Sequence, residues 1–289
     1  MSESTISLGI VDKKKGSFFK DLTLPILVWA GMIILFLNIQ HIPYDFSERD
    51  GVTLRFFAKV LATILLPLVL VRLIYKKRGD FGIYFPTYRE SFQLSWKAFS
   101  LAGPACVTFL LIGLLGWSFE DWKGAIILSM AFGMVTYLIP KRIYKMPTRE
   151  SNNIPNRRII SVTVLSVMTL VIVYLTYHSI PVLWKMFYYV FIVAFGEELF
   201  FRGYLQSATN RYFNKPFSLY GVKFGWGLVL AAVLFGLSHA LVTTPPTWPW
   251  AVWTGILGLA FGYIREKDGS ILAAAILHAM VDFPLAFMS

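Results

Sequence analysis

Long apolar runs, nearly free of charged residues, recur along the whole chain. A helix needs about 20 mostly apolar residues to cross a bilayer, and blocks of that kind lie at roughly 22–40, 54–75, 94–117, 124–140, 159–177, 182–206, 224–242, 248–264 and 271–287. They are continuous, without the 3.6- or 2-residue alternation of a half-buried helix or strand. Charged residues make up only 15% of the chain, against about 25% in soluble domains, which leaves too few to cover a water-exposed surface. The sequence therefore implies an all-α, polytopic transmembrane helix bundle of eight to nine spans. The count turns on the short fourth block and on the Pro/Trp-rich start of the eighth.

The net charge of +11 is distributed as membrane topology requires. Lys13, Lys14 and Lys15 precede the first block, and Lys76, Lys77 and Arg78 follow the second. Lys141, Arg142, Lys145, Arg157 and Arg158 fill the next even-numbered loop, then Arg211, Lys215 and Lys223, then Arg265 and Lys267. The loops between are acidic, mixed or nearly uncharged, so nine spans with a cytoplasmic N-terminus fit the positive-inside rule. Nucleic acid is not an expected partner, because no recognised binding module accompanies the charge. Membrane lipid is. The two longest basic loops, Lys141–Arg158 and Ser207–Lys223, suit anionic headgroups, which attract a basic segment by about 1 kcal/mol per Lys or Arg. Residues 1–21 read as a cytoplasmic tail, and 22–40 as an uncleaved first span, since no small-residue cleavage site follows it. The single cysteine, Cys106, rules out an internal disulfide and reads as an inert thiol in an apolar run. Trp29, Trp117, Trp122, Trp184, Trp248, Trp250 and Trp253 fall near block ends, where an interfacial belt would place them. Asp268-Gly-Ser270 is a turn signal, with Ser270 a candidate N-cap for the last helix.

Against this background the ionisable residues inside the blocks stand out, because a charge at membrane depth costs roughly 2.5–3.5 kcal/mol on insertion scales. The stretch Phe191–Gln206 (FIVAFGEELFFRGYLQ) holds Glu197, Glu198 and Arg202. On a helix Glu198 and Arg202 share a face at the favoured spacing for an ion pair. Glu197 lies about 100° further round, which leaves one carboxylate free for chemistry. Two later blocks contribute Phe235-Gly-Leu-Ser-His239 and His278-Ala-Met-Val-Asp282, the last pair four apart on one face. Each feature alone has a structural explanation: an ion pair for Glu198 and Arg202, an interhelical hydrogen bond worth about 0.6 kcal/mol for a lone histidine. Six ionisable groups on three helices are costly unless they meet. His41 and His178 fall in loops.

The strings EELFFR (Glu197–Arg202), FGLSH (Phe235–His239) and HAMVD (His278–Asp282) resemble the EExxxR, FxxxH and HxxxN/D motifs of the CAAX proteases and bacteriocin-processing enzymes. That family, also called CPBP or Abi, comprises intramembrane proteases and includes the Ras-converting CAAX endopeptidase. The similarity covers about residues 185–287 and divides the chain into a tail (1–21), motif-free transmembrane helices (22–180) and a CAAX-protease-like core (181–289). It implies a glutamate-dependent intramembrane endopeptidase acting on a membrane-associated peptide or protein, set in a membrane of prokaryotic style. By the same resemblance Glu197 with His239 activates a water, His278 and Asp282 stabilise the oxyanion, and Glu198 and Arg202 hold the geometry. Asp282 stands where the best-studied members carry Asn. An amide can donate to an oxyanion and an ionised carboxylate cannot, so Asp282 is either protonated or orients His278 instead. No cofactor is expected. Zinc is the competing mechanism, since two histidines and a glutamate are a known catalytic ligand set, although HExxH does not occur. The GxSG and GxGD strings of serine and aspartyl intramembrane proteases are also missing. A different class of protein, a non-catalytic scaffold or immunity protein, would keep the same polar network. Depth poses a conflict: His239 lies about 15 residues along its block, roughly 22 Å at about 1.5 Å per residue, while Glu197 and His278 sit nearer the cytoplasmic ends. Residues 207–228 are therefore expected largely outside the core, with the His239 helix starting late.

Overall fold

The computed structural model describes residues 7–8, 16–40, 48–75, 79–84, 88–149 and 185–283. The fifth expected span, at roughly 159–177, lies outside these, as do His41, His178, Trp184, Lys13 to Lys15, Lys76 to Arg78, Arg157, Arg158 and the end of the last block. Among the described residues, four helices are long and apolar enough to cross a membrane: α1 (Phe18–Ile39), α2 (Leu54–Ile74), α3 (Tyr88–Leu114) and α4 (Trp122–Ile143). After the undescribed stretch, α5 (188–213) runs without a break through Tyr188–Phe195, Gly196–Glu198, Leu199–Leu205 and Gln206–Phe213. Then come α6 (Trp226–Leu241), α7 (Trp248–Asp268) and α8 (Leu272–Asp282). The bundle is all-α apart from a small antiparallel sheet in the order β1 (Ser7–Leu8), β2 (Phe217–Leu219), β3 (Val222–Phe224).

The outer helices turn large apolar side chains outward. Leu27, Ile34, Leu61, Leu73, Trp96, Leu111, Ile126, Met130, Met134 and Val233 are all exposed. So much apolar surface on every side is what a lipid solvent accepts and water does not. At the centre stands α5. From Leu199 to Asn210 it is buried on every face, charged and polar residues included. A helix buried all round belongs in the middle of a bundle. Its first part packs on α8, its later part on α6, and α6 in turn lies along α7. The α6–α7 crossing is tight because small residues meet: a Cβ on Gly236 would stand 2.4 Å from the Ala251 carbonyl oxygen and 3.0 Å from Gly255 Cα. Small residues that let backbones approach are the usual adhesive between helices in lipid.

Three of the boundaries that differ from the sequence reading do so for one reason. Hydropathy cannot see polar residues buried against one another. First, α5 does not end at Gln206 but continues to Phe213, so Ser207–Lys223 is a helix end and a hairpin rather than a loop. Residues 207–210 are buried, and the expectation that 207–228 lie largely outside the core fails there. Second, Arg265 and Lys267 are not in a solvated loop. α7 runs on to Asp268, and Arg265, Glu266, Lys267 and Asp268 are all buried. Glu266 accepts from Gln206 Nε2 (2.7 Å), Asn210 Nδ2 (3.1 Å), Lys215 Nζ (2.5 Å) and Arg265 Nη1 (3.0 Å). Asp268 accepts from Ser91, Ser270 and Arg149. Third, α1 begins at Phe18, capped by Ser17, and the buried Asp21 pairs with Arg211 at 3.5 Å.

These changes resolve the conflict of depth. The seven extra residues of α5 place Glu197 roughly 10 Å further from that helix's end at about 1.5 Å per residue, and α6 begins two residues later than hydropathy placed it. The α7–α8 turn is meanwhile drawn inside the protein. It reverses at Gly269, whose φ of 73° suits only glycine comfortably and where a Cβ would meet the Arg149 carbonyl at 2.8 Å. Ser270 Oγ then accepts from Leu272 N at 3.1 Å, as its position suggested.

Candidate active site

α5 presents both carboxylates from the three-residue segment Gly196–Glu198, with π-helical turns on either side. Turns of that kind widen the helix locally and recur at functional sites. Glu198 is fully buried and pairs with Arg202 Nη1 at 3.0 Å across one turn, as the spacing indicates. Arg202, equally buried, also donates Nη2 to the Gly258 carbonyl at 3.0 Å, and its guanidinium lies 4.5 Å from the Phe235 ring centre and 5.3 Å from that of Phe261. Those two rings tie the pair to α6 and α7.

The same carboxylate holds His278. Nδ1 of His278 lies 2.9 Å from Glu198 Oε1. On the other side of the ring, Nε2 is 3.3 Å from Asp282 Oδ2 and 4.0 Å from Glu197 Oε2. Phe261 stacks on the imidazole at 4.7 Å and Phe235 meets it edge-on at 5.8 Å. The ring is thus fixed by stacking and by a carboxylate at each nitrogen, an arrangement an imidazolium satisfies by donating twice.

His239 enters from near the end of α6. Its Nδ1 is 2.8 Å from the Phe235 carbonyl oxygen. A carbonyl only accepts, so Nδ1 carries the proton and Nε2 of the neutral ring is left as an acceptor. Phe235 and Trp250 bracket the ring at 4.7 and 5.1 Å. Phe235, in edge contact with both imidazoles, is the partition between them. His239 interacts electrostatically with both Glu197 and His278. Next to it, Ser238 accepts a hydrogen bond from Trp29 of α1 at 2.8 Å, so that tryptophan braces α6 rather than marking an interface.

Glu197 departs from expectation. It is not left free by the Glu198–Arg202 pair, because Lys59 of α2 reaches it: Nζ lies 2.8 Å from Oε1. The other oxygen, Oε2, is buried and has no hydrogen-bond partner among the described residues. α2 comes this close because residue 196 is glycine; a Cβ there would sit 2.6 Å from Thr63 Oγ1. Lys59 is the residue the motifs miss. The rule that flags the glutamates, an ionisable group inside an apolar block, flags Lys59 equally, since it lies within the second block.

The six residues singled out in the sequence therefore form one polar cluster, drawn from α5, α6 and α8. Accessibility sorts them: Glu198 and Arg202 are sealed, and His278 nearly so, while Lys59 (20%), Asp282 (16%) and Glu197 (12%) stay partly open. Among the described residues, no group of three His, Cys, Asp or Glu side chains is arranged to hold a metal ion. Comparison with curated proteins and with solved structures returns no match. A family model does match, over residues 179–284, and this family points to a protease. That segment contains all six motif residues but not Lys59; it is similar to the Rce1-like, type II CAAX prenyl endopeptidase family and lies in an integral membrane protein.

Proposed function

We propose that the protein is a glutamate-type intramembrane endopeptidase that hydrolyses a peptide bond in a membrane-associated peptide or protein. CAAX-type tails are the first substrates to try. The observation that carries this reading is the meeting of Glu197 Oε2 with His278 Nε2 at 4.0 Å inside the bundle. In the proposed reaction a water is polarised between Glu197 Oε2 and His239 Nε2, both of them acceptors. Its oxygen bonds to the peptide carbonyl carbon, its proton passes to Glu197, and the carbonyl π pair becomes an oxyanion. Collapse of the adduct breaks the C–N bond, and the proton held by Glu197 leaves on the amine nitrogen. Glu198 and Arg202 hold His278, whose charge faces the developing oxyanion. Asp282, within reach of Nε2, orients that ring, one of the two roles its chemistry allows. The cytoplasmic orientation of the N-terminus and of the pocket mouth belongs to the same proposal, as do the lipid partners.

The test compares wild type with Glu197→Gln, a nearly isosteric change, in proteoliposomes. A farnesylated CAAX peptide and its unprenylated counterpart are the probes, with products read by mass spectrometry. Loss of the base should lower the cleavage rate by at least about 10²-fold, the lower end of general-base contributions, while the variant still melts cooperatively. Equal cleavage by the two proteins refutes the mechanism.

A further inference from the structure

We propose that Lys59 donates the hydrogen bond that the tetrahedral oxyanion requires in this chain. The proposal rests on the endopeptidase reading above and adds to the pocket a residue from outside the family-matched segment. It follows from counting donors. An oxyanion is stabilised by preorganised donors about 2.7–3.1 Å from where its charge develops. His278 faces a carboxylate at each nitrogen, Glu198 at 2.9 Å and Asp282 at 3.3 Å. An Asp282 carboxylate can only accept. His239 gives its Nδ1 proton to the Phe235 carbonyl. Arg202 is fully buried behind Glu198, with one nitrogen on that carboxylate and another on Gly258, and its Nε, without a partner among the described residues, is sealed with them. Lys59 remains. An ammonium offers three donors, and the ion pair with Glu197 Oε1 uses one of them.

Position favours the same residue. Lys59, Glu197 and Asp282, like His239, are partly open, so a substrate reaching Glu197 also reaches the ammonium. The backbone behind Lys59 is fixed, since Thr63 donates to the Lys59 carbonyl at 2.8 Å and packs against Gly196. Charge follows the reaction in the right direction. As the water's oxygen bonds to the carbonyl carbon and its proton reaches Glu197 Oε2, negative charge leaves the carboxylate and appears on the carbonyl oxygen. Lys59 then loosens from Oε1 and donates an N–H to that oxygen, keeping its own proton throughout. When the C–N bond breaks, the electron pair returns from the oxyanion to the carbonyl, the proton on Glu197 goes to the amine, and Lys59 pairs with Glu197 again. One cation serves base and oxyanion in turn.

The experiment separates this role from mere neutralisation of Glu197. It uses the farnesylated CAAX peptide and the same peptide with a phosphinate replacing the scissile amide, an oxyanion mimic. Binding is measured in the Glu197→Gln background, where no carboxylate at 197 is left uncompensated by removing the lysine. Adding Lys59→Met there should weaken phosphinate binding by about 10²-fold, the usual loss for one oxyanion donor, and change binding of the uncleaved peptide by less than about threefold. With Glu197 intact, Lys59→Met should lower kcat with little change in KM, and Lys59→Arg should recover part of the loss. Equal phosphinate affinity in Glu197→Gln and in the Glu197→Gln/Lys59→Met double variant overturns the proposal and leaves the endopeptidase reading standing. A wild-type protein that cleaves neither peptide and ignores the phosphinate overturns both.

Discussion

Removing the guanidinium of Arg202, as in Arg202→Met, tests the sealed half of the pocket. The side chain of Glu198 is 0% exposed, and its two partners are Arg202 at 3.0 Å and His278 at 2.9 Å. Deleting one partner of a buried ion pair typically costs about 3–5 kcal/mol, because the other charge is left without solvent or counter-charge. Here His278 still faces Glu198, which argues for the lower end, about 3 kcal/mol. Losing the Arg202–Gly258 hydrogen bond adds about 1 kcal/mol, since that carbonyl keeps no charged donor. At roughly 2–4 °C per kcal/mol for larger domains, the melting temperature in detergent should fall by about 8–16 °C. Adding Glu198→Gln should restore much of this, because replacing a whole buried pair by neutral groups is often nearly neutral. The assay is thermal unfolding followed by intrinsic fluorescence in one detergent for all three proteins. A single variant within about 1 kcal/mol of wild type, or a double variant no more stable than the single, would show that Glu198 does not depend on this arginine.

Asp282→Asn keeps an acceptor for His278 Nε2 and should retain cleavage within about tenfold, whereas Asp282→Ala should lose about 10–100-fold, the range for residues that orient a functional imidazole. Steady-state rates on the same peptide decide between these outcomes. Gly196→Ala puts a methyl 2.6 Å from Thr63 Oγ1; it should cost about 1–3 kcal/mol of stability, as overpacking does, and lower kcat by moving Lys59 from Glu197. Exhaustive chelation should leave cleavage unchanged. Activity lost to a chelator and regained with zinc would replace the glutamate mechanism with a metal-dependent one.

Much of the site was legible because its chemistry is local in sequence. The spacing of Glu198 and Arg202 gave their ion pair, and the spacing of His278 and Asp282 gave theirs. What could not be read was which helix from the first half of the chain would close the pocket. Lys59 meets Glu197 across 138 positions only because glycine at 196 admits α2. The helix ends were hidden for another reason. Ser207, Thr209 and Asn210 look like the start of a solvated loop, yet they are buried, and Asn210, with Gln206 just before them, bonds Glu266, itself read as loop. Hydropathy scores a residue against water or lipid, and these residues meet neither. The all-α bundle, by contrast, follows from the apolar blocks alone, because a backbone in lipid must satisfy its hydrogen bonds internally.

The run Arg265–Asp268 at the inner α7–α8 turn bears on how the molecule is assembled. Its two cations and two anions find partners in Asp80, in Ser91 of α3, in Thr148 and Arg149 after α4, in Gln206, Ser207 and Asn210 of α5, and in Lys215 just beyond it. A nascent C-terminal hairpin has only water to solvate those groups until the earlier segments stand ready, so it docks late. His278 rides on that hairpin. The acidic side chains of α5 thus meet this imidazole only once the hairpin has docked.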